Sequence, residues 1–134
     1  MDAVRPRVLV VDDDPRLLQI IEMYLRVEGY DVVTAENGED ALARLRAHEV
    51  ALVILDVMMP GMDGIEACAR IRSDPSTVDV PVVMCTALSA DEDVRRARDA
   101  GASHMITKPF NLVGLGAVVR SYLGVAPAAA AAEV

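Results

Sequence analysis

The sequence predicts an α/β fold: one doubly wound, three-layer sandwich of five βα units around a parallel sheet. Three observations carry this. Short β-branched runs alternate with helical stretches five times, and three of the runs (VLVV, ALVIL, PVVMC) are almost continuously apolar. Such runs suit strands buried on both faces of a parallel sheet, whose crossovers then have to be helical. The length of 134 residues matches a single domain.

The expected strands are Val8–Val11, Asp31–Ala35, Ala51–Leu55, Pro81–Cys85 and His104–Thr107. Between the first two, Asp14-Pro15 reads as a helix cap followed by proline at the first helical position. Leu17, Leu18, Ile21, Tyr24 and Leu25 then recur on one face until Gly29. A second helix follows Asn37-Gly38 with Ala41, Leu42 and Leu45 inward. A third starts near Gly64, turns Ile65, Cys68 and Ile71 inward, and ends before Asp74-Pro75. The fourth opens on what reads as a capping box, Ser89 to Glu92, yet offers only Val94 as a large apolar side chain before Ala100. It is expected to be loosely held. The fifth, from about Leu112 to Leu123, carries Leu115, Val118, Val119 and Tyr122 and also contains Gly114 and Gly116. Each glycine costs about 1 kcal/mol against alanine inside a helix.

Composition removes several function classes. With 53% apolar residues the chain has the surface to build a core, which a disordered chain lacks. No apolar run is long enough to span a bilayer, and the opening MDAVRPRVLVVDDDP turns acidic too soon for a signal peptide. A net charge of -8 argues against a nucleic-acid surface, which needs clustered Lys and Arg. Cys68 and Cys85 are too few and too far apart for a zinc knuckle or disulfide scaffold; both read as buried thiols in a reducing cytoplasm. His48 and His104 fall at element ends, and the Arg95, Arg96, Arg98 run reads as a solvated helix face.

In an open parallel sheet, ligands bind beyond the carboxyl ends of the strands. Here those ends carry Asp12-Asp13-Asp14, Asp56, Thr86-Ala87 and Lys108-Pro109. Two carboxylates 4 Å apart repel by roughly 4 kcal/mol at an effective dielectric near 20, so clustering three without a cation is costly. All-oxygen ligands select Mg²⁺, Mn²⁺ or Ca²⁺, and no His or Cys is placed for zinc. Neither a Walker loop nor GxGxxG is present. A carboxylate beside such a cation, with a hydroxyl and an ammonium at hand, is the equipment of an aspartyl-phosphate site. Of 13 basic residues 12 are Arg, and the single lysine, Lys108, stands at this edge. Its compact charge fits among phosphoryl oxygens.

The segments VLVVDDDP, LVILDVMMPGMDG, VVMCTA and GASHMITKPF resemble, in order and spacing, the signatures of response-regulator receiver domains, over about residues 7–123. The resemblance implies a flavodoxin-like sheet in the order 2-1-3-4-5. It implies Asp56 as phosphoacceptor, Asp13 as direct Mg²⁺ ligand, Asp12 acting largely through water, and the Met58 backbone carbonyl completing the protein's share of the shell. Mn²⁺ would serve in place of Mg²⁺. Thr86 and Lys108 would bind the phosphoryl group, and Pro109 would follow a cis peptide. The family's switch pairs the strand-four hydroxyl, here Thr86, with an aromatic that falls at position 105. Met105 stands there instead, a departure that points to weaker or more graded coupling. The side chains two positions beyond Asp56 and Thr86, Met58 and Leu88, are apolar, so slow self-dephosphorylation is expected.

The implied partners are a histidine kinase or histidine phosphotransfer protein upstream and a protein target or output domain downstream, signalled through the face of the fourth helix, fifth strand and fifth helix (of which the Arg95, Arg96, Arg98 run would then be part), with neither nucleic acid nor membrane contacted. Residues 1–124 would form the receiver, whose chemistry is confined to phosphorylation and dephosphorylation of Asp56, and 125–134 an Ala-rich tail or linker stub. The chain reads either as a stand-alone receiver or as a fragment of a longer regulator with an output domain after residue 134. A haloacid-dehalogenase-type phosphatase would instead use Asp12 and Asp14. Arg16 then stands where that motif wants a hydroxyl or valine, and LDVMMPGMDG goes unexplained.

Overall fold

The computed structural model describes residues 5–87 and 91–124. Five strands, β1 (Arg7–Val11), β2 (Asp31–Ala35), β3 (Leu52–Asp56), β4 (Val82–Thr86) and β5 (His104–Thr107), alternate with five helices. These are α1 (Pro15–Val27), α2 (Gly38–Ala47), α3 (Gly64–Ser73), α4 (Asp91–Asp99) and α5 (Leu112–Leu123). All pairings are parallel, in the order β2-β1-β3-β4-β5. This is the expected doubly wound sandwich. The order reverses between β1 and β3, which opens a crevice beyond their carboxyl ends.

Strands β3 and β4 each begin and end one residue later than the apolar runs suggest, because main-chain pairing continues past the hydrophobic stretch. Asp56 pairs with Cys85 and Thr86 with Thr107. Both polar residues are thus the last rungs of the sheet, held by its ladder.

Alternation along the strands splits the core in two. On one face Val8, Val10, Ile54, Val83 and Cys85 pack with Leu18, Ile21 and Leu25 of α1 and Leu115 and Val119 of α5. On the other, Leu9, Val11, Val53, Leu55 and Met84 pack with Ala41, Ala67, Cys68, Ile71 and Ala97 from α2, α3 and α4. Fully burying one such aliphatic side chain is worth about 1.5–3 kcal/mol. Both cysteines are free and buried, as expected.

Local chemistry sets the helix starts. The side chains of Asp14, Asn37, Asp63 and Asn111 accept from the backbone N–H of Arg16, Asp40, Glu66 and Gly114 respectively. Ser89, half of the expected capping box, lies outside the described residues. As the sequence implies, α4 buries little: Ala97 is its buried residue and Val94 is half-buried.

On helix α5, Leu115 and Val119 are buried while Tyr122 is 39% exposed. Its hydroxyl donates to the carbonyl of Ser103 at 2.9 Å and its ring meets His104 edge-on. The polar end of the ring is thereby satisfied at the sheet's margin. Gly116 has a reason in the packing: a Cβ there would stand 2.9 Å from Cε1 of Tyr24. Its lack of a side chain lets α1 and α5 close together.

Candidate functional site

The first-strand ladder ends at Val11, and the chain then turns through Asp12-Asp13-Asp14 into α1. Two bonds fix this turn. The Asp14 carboxylate caps α1 by accepting from Arg16 N at 3.0 Å, and Asp14 N donates to Asp12 Oδ1 at 2.9 Å. Asp14 is therefore a cap, and its backbone also aims Asp12. Asp12 and Asp56 are each only 4% exposed, whereas Asp13 is exposed at the rim. One carboxylate oxygen from each of the three lies within 4.8 Å of the others.

Lys108 arrives from the far side of the sheet. Its backbone N–H donates to Thr86 O at 2.8 Å, and the Lys108–Pro109 peptide is cis. Its Nζ lies 3.0 Å from Asp12 Oδ2 and 3.3 Å from Asp56 Oδ1. Thr86, 2% exposed, ends β4 between the strands that deliver Asp56 and Lys108. The structure thus brings together Asp12, Asp13, Asp56 and Lys108, with Thr86 ending the strand between those that carry Asp56 and Lys108.

Met58 is also at the site. Its N–H donates to Asp56 Oδ1 at 3.4 Å, while its side chain is 60% exposed. Met105 pairs with Met84 and packs, half-buried, in the core beneath α4. Two positions apart from Thr107 and opposite Met84, it shares the sheet face of Thr86 rather than joining the acidic pocket. Leu88 lies outside the described residues.

The electrostatics are those of an unbalanced acid cluster. Burial, then the charge of Asp12, raises the pKa of Asp56 above the ordinary carboxylate value, with Lys108 opposing. Burial would lower Lys108, but the hydrogen bond and charge of Asp12, together with Asp56, outweigh it and raise its pKa. One ammonium against three carboxylates leaves the pocket net negative. An all-oxygen donor set in that condition suits a hard divalent cation such as Mg²⁺ or Mn²⁺, and lacks the nitrogen or sulfur that zinc sites use.

Two contributors escaped the sequence reading. A methyl on Gly64 would overlap the carbonyl of Asp56 and stand 2.8 Å from Val57 Cα, so this glycine lets α3 start against the acceptor's own backbone. The Gly in PGMDG was a visible signal, read only as a helix start. Arg72 donates to the carbonyls of Gly101, Val78 and Val80 and to Ser103 Oγ, pinning the turn after α4. Nothing in the sequence distinguishes it from the surface arginines.

The sequence pattern of the response regulator receiver domain matches residues 8–120. The chain belongs to that family. It is 42% identical over 123 residues to the DNA-binding response regulator MtrA of Mycolicibacterium smegmatis, covering 92% of this chain and 53% of that one. It is 44% identical over 115 residues to the response regulator PleD of Caulobacter vibrioides, covering 86% of this chain and 25% of PleD. The receiver therefore spans about half, or less, of the curated relatives it matches. Among solved structures it resembles the chemotaxis protein CheY4 of Vibrio cholerae, with a TM-score of 0.85 and 30% identity over 89% of this chain and 99% of that one. The protein is a receiver domain of two-component signal transduction. Among the described residues no helix is long and apolar enough to cross a membrane.

Proposed function

We propose that this receiver takes a phosphoryl group onto Asp56 from a phosphohistidine of a histidine kinase or phosphotransfer protein, in a reaction that requires Mg²⁺ or Mn²⁺. The observation that carries the reading is the position of Lys108 Nζ, within 3.3 Å of both buried carboxylates at the switch point of the sheet. Asp13, Asp56 and the backbone carbonyl of Met58 would hold the cation directly, and Asp12 largely through water. When bound, it supplies positive charge to the phosphoryl oxygens.

The chain's own residues do the rest. An Asp56 carboxylate oxygen attacks phosphorus; the P–N bond to the donor imidazole breaks, and its electron pair stays with the ring nitrogen. Lys108 neutralises a phosphoryl oxygen and the Thr86 hydroxyl donates to another. Drawing Thr86 toward the phosphoryl group vacates space on the face covered by α4. Met105 is flexible enough to fill that space by degrees, which makes the response graded.

In this reading residues 1–124 are the receiver proper and 125–134, which lie outside the described residues, an Ala-rich tail or linker stub. Given the longer relatives, the chain is a stand-alone signal carrier or the receiver portion of a larger regulator. Its target is a protein surface or an attached output domain rather than nucleic acid, in keeping with its net charge of -8. The buried, unpaired thiols fit a cytoplasmic setting.

Intact mass after treatment with acetyl phosphate tests this reading. One phosphoryl mass should be gained with Mg²⁺, little without it, and none in Asp56→Asn. Asp12→Ala should slow the gain while keeping the acceptor. A phosphoryl mass persisting at normal yield on Asp56→Asn would overturn the assignment, and would return attention to Asp12 and Asp14 as nucleophiles.

A further inference from the structure

We propose that Met58 is a redox-modification site: oxidation of its thioether to the sulfoxide by a peroxide shortens the life of the phosphoryl group on Asp56. The proposal rests on the reading of Asp56 as phosphoacceptor.

The sulfur chemistry of this chain is unevenly exposed. Cys68 and Cys85 are 0% and 3% exposed, and burial pushes the Cys85 thiol up to about 12. Neither offers the accessible thiolate that oxidants attack first. Thioethers need no deprotonation, so access alone selects among them. Met84 is fully buried, Met59 is 8% exposed, and Met62 and Met105 are half-buried. Among the described residues the open methionines are Met23, 66% exposed on α1, and Met58, 60% exposed. Only one of these adjoins the acidic pocket. Met58 donates its own N–H to Asp56 Oδ1, and Met59 beside it is turned inward.

Met58 also lies on an open cleft of about 520 Å³ between the 57–65 loop and α4, where Asp93 and Arg96 face it. In the reduced form the Met58 side chain brings only hydrocarbon and sulfide to this lip of the cleft, and adds no acceptor of its own to the carboxylates nearby. In the oxidation step, a sulfur lone pair attacks one peroxide oxygen. The O–O bond breaks, an S–O bond forms, sulfur loses two electrons, and the second oxygen leaves as water. The product carries a strong hydrogen-bond acceptor where the side chain was apolar. That oxygen can hold a water at the edge of the pocket and lower the barrier to hydrolysis. One ordinary hydrogen bond realised in the transition state corresponds to about a fivefold faster decay.

The test is graded peroxide treatment of the whole protein, sulfoxide mapping by peptide mass, and phosphoryl decay by intact mass after acetyl phosphate and Mg²⁺. Sulfoxide should accumulate on Met58 and Met23 ahead of Met59, Met62 and Met84, and decay should quicken by about fivefold, the same hydrogen-bond equivalent. Met58→Leu should lose the peroxide response, Met23→Leu should keep it, and Met58→Gln should decay faster than its parent with no peroxide added. Oxidation of Met59 in step with Met58, unchanged decay once Met58 is oxidised, or a response surviving in Met58→Leu would each overturn the proposal alone. An untreated protein that takes no phosphoryl group at Asp56 would overturn this proposal and the functional reading together.

Discussion

Helices α1 and α4 follow β1 and β4 along the chain, yet they are attached in different ways. Helix α1 sends Leu18, Ile21 and Leu25 into the core, rests Tyr24 against Gly116 and is capped by Asp14. Helix α4 buries Ala97 and half-buries Val94, and its remaining side chains are charged or small. Among the described residues its firm attachment is at the far end, where Gly101 and Ser103 receive Arg72, Val82 N bonds to Ser103 Oγ and Tyr122 bonds to Ser103 O. The contrast has a physical content. Asp12 and Asp13 lead straight into the well-anchored helix, and the element beside the proposed switch residues is lightly held along its described length. Elements that move are drawn from the low-stability end of a fold.

The largest expected effect lies on the rigid side. Leu25 is fully buried, and Leu25→Ala should cost about 3 kcal/mol, the usual loss for a leucine cavity that cannot collapse. Urea denaturation with an unchanged slope would read it as a global loss. A cost near that of an exposed position would mean that α1 is no better anchored than α4.

Next comes the hinge. Gly101 has φ +105°, and a Cβ there would stand 2.6 Å from Cγ of Arg72. Gly101→Ala should cost about 2 kcal/mol, from backbone strain added to a displaced clamp. Arg72→Ala tested beside it should show coupling in a double-mutant cycle, since both changes act on one contact. Simple additivity would deny that the end of α4 is held as a unit.

The reach of the sequence follows the same division. Asp12, Asp13, Asp56, Thr86 and Lys108 were legible because each ends an apolar run, and a parallel sheet places all such ends on one edge. The sparse apolar content of α4 was legible for the same reason, being a count along one segment. Gly64, Arg72 and Gly116 were not, because each is defined by a neighbour remote in sequence: the Asp56 carbonyl, the Gly101 turn and the Tyr24 ring. The environment of Tyr122 was likewise not legible, because periodicity records the apolar body of a tyrosine and says nothing of its hydroxyl, which here finds Ser103 O.

A smaller effect belongs to the pocket, where Lys108 offsets part of the penalty. Burial and Asp12 raise the pKa of Asp56. A carboxyl raised in the folded state favours folding while it is protonated. That contribution is present below its unfolded pKa and is lost as pH rises through the folded one. Asp56→Asn, which removes the ionisation, should therefore be more stable than the parent at about pH 7, with the gap closing toward about pH 4. Urea titrations across that range would check it. A variant less stable at neutral pH would mean that the Lys108 pair outweighs burial and repulsion.

The smallest effect sharpens the comparison most. Val94 is the one large apolar side chain of α4, and it is only half-buried. Truncating it should remove well under the full burial energy of a valine, so Val94→Ala should change global stability by less than about 1 kcal/mol. Its local consequence should be larger in proportion. If α4 opens on its hinge without unfolding the sheet, the amides of α4 exchange through that local opening, and losing Val94 should speed them while β1, β3 and α1 stay protected. Hydrogen exchange resolved by segment measures this directly. Equal acceleration in α1 and α4 would mean that the two helices open together, and the division between a fixed half and a hinged half of this receiver would be wrong.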